Sequence, residues 1–600
     1  MMNEVEKIVT HHQSDANRLM DMLIDIQDKF GYISDEAIDV LVKKLNISKV
    51  DVLQTLTFYH FFTRTPKGKF TIYLNNSVTS YMNGYEKVAE AFEQSAGCKF
   101  GKKTKDNLIG LYNTSCIGMC DQEPAAIINN KVFPNLTPEK AKTIIANIKA
   151  GKPLEEISTD KLGDGNNSNP LVQATVNNNI RKKGIILDDS YILGSGLKNT
   201  ISMEDLEVIN EIENSNLRGR GGAGFPTGLK WKFCAKSPEG ERYIFCNADE
   251  GEPGTFKDRV ILTEKPEVLF EGMAIAGYAL KAKIGILYLR YEYKYLKKYL
   301  ENVLKQMRQK KLLGKDILDK KGFDFDIRIQ LGAGAYVCGE ETALLESAEG
   351  NRGEPRFKPP FPAIKGYKEK STAINNVETL CAVTRILEKG NYWFKKSGTE
   401  QSTGTKLLSV SGDCEKPGVY EVDWGTTIDE MLDMVGAEEP QAVQVGGPSG
   451  NCIACDDFSR KICYSDLATG GAMIVIGKKR DLLKDVILNY MEFFTEESCG
   501  SCVPCRNLTS IYHDTLQKVI DGKAQQKDLD NMLHWEKVMK MNRCGLGQTA
   551  CNPIVTTLKN FPEIYKEKIQ EDSDYIPTFD IQAAIKDYCD TTGRKPIIEE

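Results

Sequence analysis

A run of three cysteines near the C-terminus constrains this chain more than any other feature. Glu497-Ser498-Cys499-Gly500-Ser501-Cys502-Val503-Pro504-Cys505-Arg506 reads C-x2-C-x2-C, and another cysteine follows in Arg543-Cys544-Gly545. Three thiolates at this spacing can hold one face of an iron–sulfur cubane, and a fourth from a distant loop can close it. The spacing predicts a [4Fe–4S] centre on Cys499, Cys502, Cys505 and Cys544. Such a centre moves single electrons, so something must feed it.

Composition narrows the setting. Seventeen cysteines behind a polar, acidic start, Met1-Met2-Asn3-Glu4-Val5-Glu6, suit a reducing, cytoplasmic compartment where thiolates serve metals rather than disulfides. The net charge of −6 gives no basic face for nucleic acid, and no apolar run reaches the length of a membrane span. The five histidines show no zinc-site spacing.

Periodicity divides the chain. Leu19, Leu23, Ile26 and Phe30 fall at helical spacing, Gly31 stops that helix, Ser34 starts the next, and Ser48-Lys49-Val50-Asp51 reads as a capping box. Phe70–Leu74, Leu108–Tyr112 and Ala125–Ile128 read as strands around a helix near Tyr85–Phe92. Gly163–Pro170 is a polar linker. Strands at Tyr243–Cys246, Ile284–Leu289 and Asp326–Gln330 alternate with helices. A turn-rich β segment and a second helical region follow, and residues after about 571 read as an irregular tail.

Three segments carry ligand chemistry. In Leu217-Arg218-Gly219-Arg220-Gly221-Gly222-Ala223-Gly224-Phe225-Pro226-Thr227-Gly228-Leu229-Lys230, the glycines let bare backbone approach a planar or phosphorylated ligand. Arg220 and Lys230 can neutralise phosphate, and Phe225 and Phe233 offer stacking faces. No acidic residue stands where an ordinary Rossmann finger needs one, and a flexible loop is the alternative. Cys246-Asn247-Ala248-Asp249-Glu250-Gly251-Glu252 follows a strand and could accept from ribose hydroxyls or form a solvated acidic loop. Leu331-Gly332-Ala333-Gly334-Ala335-Tyr336-Val337-Cys338-Gly339-Glu340-Glu341 is a strand, turn and helix start, where phosphate is favoured. Lys358-Pro359-Pro360-Phe361-Pro362 and Asn375-Asn376-Val377-Glu378-Thr379 add stacking and amide groups.

Together these segments closely resemble the flavin- and NADH-binding subunit of respiratory complex I and its relatives, over roughly 190–570. Residues 1–150 resemble the thioredoxin-like partner subunit of complex I, through Phe58-Tyr59-His60-Phe61-Phe62, Asn83-Gly84-Tyr85 and Cys116-Ile117-Gly118-Met119-Cys120-Asp121-Gln122-Glu123-Pro124. Their fusion, and Tyr575-Ile576-Pro577-Thr578-Phe579-Asp580, look most like the diaphorase subunits of cytoplasmic NAD-reducing nickel–iron hydrogenases. The resemblance implies a multidomain α/β protein. Its parts are an N-terminal helical bundle (1–65), a thioredoxin-like domain (66–151), a linker (152–189), an α/β FMN/NADH-binding domain (190–400), a ubiquitin-like β-grasp domain (401–482), a helical [4Fe–4S] bundle (483–570) and a tail (571–600).

The resemblance also implies ligand sets. FMN falls to Gly219, Arg220, Gly221, Lys230, Asn247, Asp249, Tyr336, Gly339, Glu340, Asn375, Asn376 and Thr379, with Gly222, Gly224 and Gly228 as further cofactor-binding residues. NAD(H) falls to Phe225, Phe233, Phe361, Glu250 and Lys358, with Glu252 and Glu341 as candidate catalytic residues. The acidic groups disfavour a 2′-phosphate, so NAD is expected over NADP. Cys452-Ile453-Ala454-Cys455 resembles a redox motif by spacing alone, lies in the ubiquitin-like segment and is expected to have no role.

The first domain departs from its family. The partner subunit holds a [2Fe–2S] cluster with C-x4-C and a later C-x3-C. Cys116 and Cys120 keep the second pair, but Asn75 and Ser80 stand where the first should be. Two thiolates fall short of the usual four, so that cluster is expected to be absent. The implied function is reversible hydride exchange between NAD(H) and FMN. Single electrons then pass through one [4Fe–4S] cluster to a small iron–sulfur subunit and a nickel–iron hydrogenase module. The same subunit in an NAD-dependent formate dehydrogenase or a bifurcating complex, and a non-catalytic relay, are the alternatives.

Overall fold

The computed structural model describes residues 1–157, 163–172, 175–238, 240–570 and 581–594. The helices Met2–His11, Leu19–Phe30, Asp35–Leu45 and Lys49–Phe58 form the N-terminal bundle. Local chemistry sets their ends. Gly31 takes the left-handed conformation (φ 80°) that closes one helix, and the Ser34 side chain accepts from Ala37 N to open the next. Ser48 and Asp51 form a reciprocal capping box.

The thioredoxin-like domain is a five-stranded sheet in the order Lys102–Lys103, Ile109–Thr114, Phe70–Asn75, Ala126–Ile128, Lys131–Phe133. Phe70–Asn75 runs parallel to Ile109–Thr114 and antiparallel to Ala126–Ile128. The helices Tyr85–Ala96 and Pro138–Lys149 bury Val88, Phe92, Ile144 and Ile148 against it.

The central α/β domain is built on a four-stranded sheet in the order Ser371–Asn376, Arg242–Ala248, Ile284–Leu289, Asp326–Leu331, with every pair parallel. Parallel strands need crossovers, and helices such as Pro266–Ala279 and Val377–Lys389 supply the apolar cover. All four carboxyl ends lie on one side, where ligands collect in open α/β sheets. Ser371–Asn376, read from sequence only as an amide-bearing stretch, is an edge strand. Its register sets Asn376 opposite Asn247.

The third sheet runs Asn451–Ala454, Pro440–Val445, Ala472–Gly477, Thr405–Gly412, Gly418–Asp423, Ile180–Lys182. Its last strand corrects the expectation of a simple linker over 152–189. Ile180–Lys182 pairs with Gly418–Asp423, and the Glu421 carboxylate accepts from the N–H groups of Gly184, Ile186 and Leu187. Glu264 likewise accepts from Asn166 N at 3.1 Å and pairs with the Asn178 side chain.

The C-terminal region is helical through Leu488–Glu497, Val503–Ile520, Gln526–Met539 and Asn552–Asn560. The tail is not wholly irregular, because Ile581–Thr592 is a helix. Tyr575–Asp580 lies outside the described residues. No described helix is long and apolar enough to cross a membrane.

Candidate functional site

The carboxyl ends of the parallel strands gather the three ligand segments. Asn247, near the end of Arg242–Ala248, donates through Nδ2 to the Gly339 carbonyl at 2.8 Å, joining the acidic loop to the Gly-Glu-Glu turn. Its Oδ1 accepts from Asp249 N at 3.1 Å. Thr379, in the first turn of Val377–Lys389, accepts from Arg220 N at 2.9 Å and ties the Gly-rich loop to the same place. Asn375 accepts from Trp231 Nε1 at 3.1 Å, and Asn376 caps the helix by accepting from Glu378 N at 2.9 Å.

The Gly-rich loop is shaped by what presses on it. Gly224 sits at φ 63°, where a Cβ would meet the Tyr464 ring at 2.4 Å, and Gly222 at φ 123° faces open space. A Cβ on Gly221 would lie 3.3 Å from the Asn376 side chain. Gly228 plays a different part. Its missing Cβ lets helix Thr227–Lys236 sit against the Glu213 backbone, so it serves helix packing. Arg220 is 1% exposed, and its guanidinium donates to the Arg218 and Thr403 carbonyls at 2.8 and 2.7 Å while lying over Trp424. With its guanidinium turned into the protein, Arg220 does not supply the phosphate-neutralising charge expected of it, and Lys230 is left as the nearby cation on this loop and helix. Lys230 Nζ donates to the Ile374 carbonyl at 2.9 Å and stands 3.7 Å from Glu341 Oε2.

The carboxylates divide by what they hold. Glu250 accepts from Asp258 N, Arg259 N and Tyr293 Oη, so it caps helix Lys257–Glu264; burial pushes its pKa up to about 7. Glu252 is clamped between domains. Its Oε2 accepts from Tyr336 Oη at 2.5 Å and Ser449 Oγ at 3.0 Å, and its Oε1 from Ser449 N at 2.8 Å. Burial raises it to about 7 as well. Glu340 caps helix Glu341–Ala348 by accepting from Thr342 N and Ala343 N, and pairs with Lys358 at 2.7 Å. Glu341 keeps partial exposure between Lys230 and Lys358.

Asp249 stands apart. Its Oδ2 is buried without a hydrogen-bond partner, and burial holds its pKa well above the usual carboxylate range. An orphaned acceptor beside backbone freed by glycine fits a flavin with hydroxyl and amide donors. The rings of Phe225, Phe233 and Phe361 stand open, at 43%, 46% and 53% exposure, free to cover a planar group. Among the described residues no ring contact joins them.

The cysteines lie at helix starts. Cys502 precedes Val503–Ile520, Cys505 is in its first turn, and Cys544 precedes Gly545–Thr549. Burial, with the neighbouring Cys544, Cys499 and Cys502, raises the Cys505 thiol to about 11, so the four act on one another. Thiols that resist ionisation alone become thiolates on a cation, and the donor set fits a [4Fe–4S] cluster. Cys505 N donates to Asn542 Oδ1 at 3.1 Å, and Arg352 donates to the Cys499 carbonyl. Arg543, beside Cys544, donates to the Pro355 carbonyl at 3.0 Å and lies over the Phe357 ring, which brings the cysteine loop to the segment that carries Lys358. Tyr336 bridges the gap: its ring meets Phe493 at 4.9 Å between centroids, and its N–H donates to Glu497 at 2.9 Å.

In the thioredoxin-like domain the Cys116 and Cys120 sulfurs lie 3.2 Å apart. Asn75 donates to the buried Glu123 and accepts from Ser77 N at 2.8 Å, and Ser80 Oγ is buried without a partner. Cys452 is fully buried while Cys455 is exposed.

Sequence reasoning missed Tyr464, Ser449, Lys406, Glu378 and Glu497. All but Glu378 lie outside the flavin-domain motifs, and only the folded structure brings them to the site.

A parallel sheet carrying a Gly-rich loop and an Asn-Ala-Asp-Glu loop, beside a four-cysteine helical module, defines the class of complex I-type NADH-binding flavoproteins. Family models agree: Nuo51 FMN-binding domain over residues 212–385, thioredoxin-like [2Fe-2S] ferredoxin over 5–149, and the NADH-ubiquinone oxidoreductase-F iron-sulfur binding region over 485–568. The chain is 48% identical to the NAD-reducing hydrogenase HoxS subunit alpha of Cupriavidus necator, covering 98% of each. It is 40% identical to an NADH-quinone oxidoreductase subunit of Aquifex aeolicus, over 65% of this chain and 92% of that one. A crystal structure of an NAD+-reducing [NiFe]-hydrogenase in the H2-reduced state superposes with a TM-score of 0.86 at 34% identity, covering 97% of each chain. The chain belongs to the family of alpha subunits of NAD-reducing hydrogenases.

Proposed function

We propose that the chain is a cytoplasmic diaphorase subunit that exchanges hydride with NAD(H) and single electrons with a hydrogenase. The observation that carries this reading is the convergence of Gly219–Gly224, Asn247, the orphaned Asp249 and Asn375–Thr379 beside the turn that Tyr336 ties to the cysteine-bearing helices. FMN supplies, when bound, the conversion between two-electron and one-electron chemistry that no side chain performs.

The chain's own residues bind and orient. Backbone of the Gly-rich loop approaches the ring system, while Asn247, Asp249, Asn375 and Asn376 offer polar contacts and Lys230 offers positive charge. Phe225, Phe233 and Phe361 stack the dinucleotide and exclude water, fixing the approach of the transferred hydrogen. Glu252 acts by holding Tyr336 in place, which differs from the direct role expected of it. Glu341 remains available to the substrate. Cys499, Cys502, Cys505 and Cys544 hold the cluster that passes electrons to a small iron–sulfur subunit and a nickel–iron module.

The thioredoxin-like domain fits a [2Fe–2S] cluster poorly. Asn75 is committed to Glu123 and Ser77, leaving two thiols where four ligands are usual. We read it as a docking module.

The test is NADH-driven reduction of an artificial dye by the isolated chain, with iron and flavin counted. Dye reduction with one FMN and about four irons supports the reading. No reduction would leave only a relay, and about six irons would restore the second cluster. Nickel in the co-purified complex, rather than molybdenum or tungsten, tests the partner.

A further inference from the structure

The segment expected to form a separate ubiquitin-like domain pushes a buried charge beneath the flavin loops. Lys406, on strand Thr405–Gly412, is fully enclosed. Its ammonium pairs with the Glu378 carboxylate and donates to the Arg220 carbonyl at 3.3 Å. Glu378 is shared, with Oε2 3.0 Å from Lys257 Nζ and Oε1 accepting from Leu407 N at 2.9 Å. Lys257 pairs with Asp258 at 2.6 Å, and Asp258 accepts from Asn376 Nδ2 at 2.7 Å. Two cations and two anions, none more than 3% exposed, thus touch Arg220 and Asn376 and flank Thr379.

The balance within the group has a direction. Burial pulls the Lys406 ammonium down to about 7, against the attraction of Glu378. Burial also works to raise Glu378, but Lys406 and Lys257 outweigh it and hold the carboxylate below its usual range. Closing four charges into an interior is no cheaper than filling it with apolar side chains of the same volume. In a low-dielectric interior their field is weakly screened, and it acts on whatever the neighbouring loops hold.

We infer that Lys406 and Glu378 are positioning residues that lock the Gly-rich loop against Asn375–Thr379 and set the electrostatic potential felt by the flavin. The inference rests on the flavin reading above. A positive charge beneath the loop favours the electron-rich state of a bound group, and a negative charge disfavours it. Lys406 and Glu378 therefore have opposite effects although they share one contact.

The experiment measures flavin content and flavin midpoint potential by spectroelectrochemical titration of the purified holoprotein from neutrality down into the acid range where Lys406 stays protonated without Glu378, since that carboxylate is what holds its proton against burial. Lys406→Met is expected to lower the potential and Glu378→Gln to raise it, with Lys406→Met/Glu378→Gln returning close to the unsubstituted protein. Shifts of the same sign in both single variants, or none in either, overturn the inference. Should Lys406→Met fail to fold, Lys406→Gln with Glu378→Gln carries the same opposite-sign test. An unsubstituted chain that holds no FMN would instead sink the flavin reading itself.

Discussion

Removing Asp121 should loosen the seat of the acidic loop, and the structure says by how much. Asp121 of the thioredoxin-like domain and Arg259 of helix Lys257–Glu264 form an ion pair of 3.2 Å with both side chains fully buried. Arg259 also donates to the Gly118 carbonyl at 3.0 Å and the Asn177 carbonyl at 3.3 Å. Asp121→Ala leaves the guanidinium enclosed without a counter-charge. Breaking a buried pair this way costs about 3–5 kcal/mol, or roughly 150- to 5,000-fold in a local opening equilibrium. The chain is multidomain, so a single unfolding midpoint is the wrong readout. Hydrogen exchange on the holoprotein reads local opening directly. Amides of helix Lys257–Glu264 and of 116–121 should lose that protection, while strand Thr405–Gly412 keeps its own. Asp121→Ala/Arg259→Met removes the stranded charge and should recover much of the loss. Unchanged protection in Asp121→Ala, or a double variant at least as labile as the single one, would refute the reasoning.

Other substitutions probe the site itself. Gly221→Val forces branched methyls toward Asn376, whose side chain already lies 3.3 Å from the position of a Cβ, and should abolish flavin retention; full FMN occupancy in that variant would count against the site. Glu252 has a folded pKa raised to about 7 from the 4.5 of an ordinary glutamate, so the folded state holds its proton more tightly. Its contribution is therefore most favourable below pH 4.5 and is lost as pH rises through about 7. Glu252→Gln should flatten the pH dependence of amide protection at Tyr336 and Ser449 across that window, and parallel curves for the two proteins would show the carboxyl is not the titrating group. Cys544→Ser should lose cluster iron while FMN stays bound and NADH still reduces a dye at the flavin; undiminished iron would remove Cys544 from the ligand set.

What could be read in the sequence follows the range of the forces involved. Arg242–Ala248 and Ile284–Leu289 are legible because strands buried on both faces are near-continuous apolar runs. The helix caps at Ser34 and Ser48 are legible because a cap spans only four residues. Ser371–Asn376 is polar and short, and it becomes a strand only by pairing with Arg242–Ala248 far upstream. The same limit governs the carboxylates. The sequence shows Glu250 and Glu252 as available acceptors, but folding spends Glu250 on the N–H groups of 258 and 259 and Glu252 on Ser449 and Tyr336. Arg220 looks like a phosphate ligand until Trp424 and Thr403 claim its guanidinium. Residues from the ubiquitin-like segment carry no local signal, since their role exists only across the interface.

That interface bears on how electrons leave. The turn at Tyr336 is fixed from three sides: Glu252 and Ser449 hold the hydroxyl, Glu497 takes the N–H, and Phe493 packs on the ring. Ser449 is itself anchored, because its carbonyl accepts from Asn552 of the cluster-bearing helices at 2.7 Å. Glu497 accepts in addition from Ser115 of the thioredoxin-like domain at 3.1 Å and stands two positions before Cys499. One tyrosine therefore ties four domains together where the flavin-side turn meets the cluster module. Glycine loops can adapt to a ligand, but this turn has little freedom to move. Rigidity at that point keeps donor and acceptor in a constant relation while NAD(H) comes and goes, as preorganised sites require. The thioredoxin-like domain joins the same network through Ser115 and braces the turn from a fourth direction.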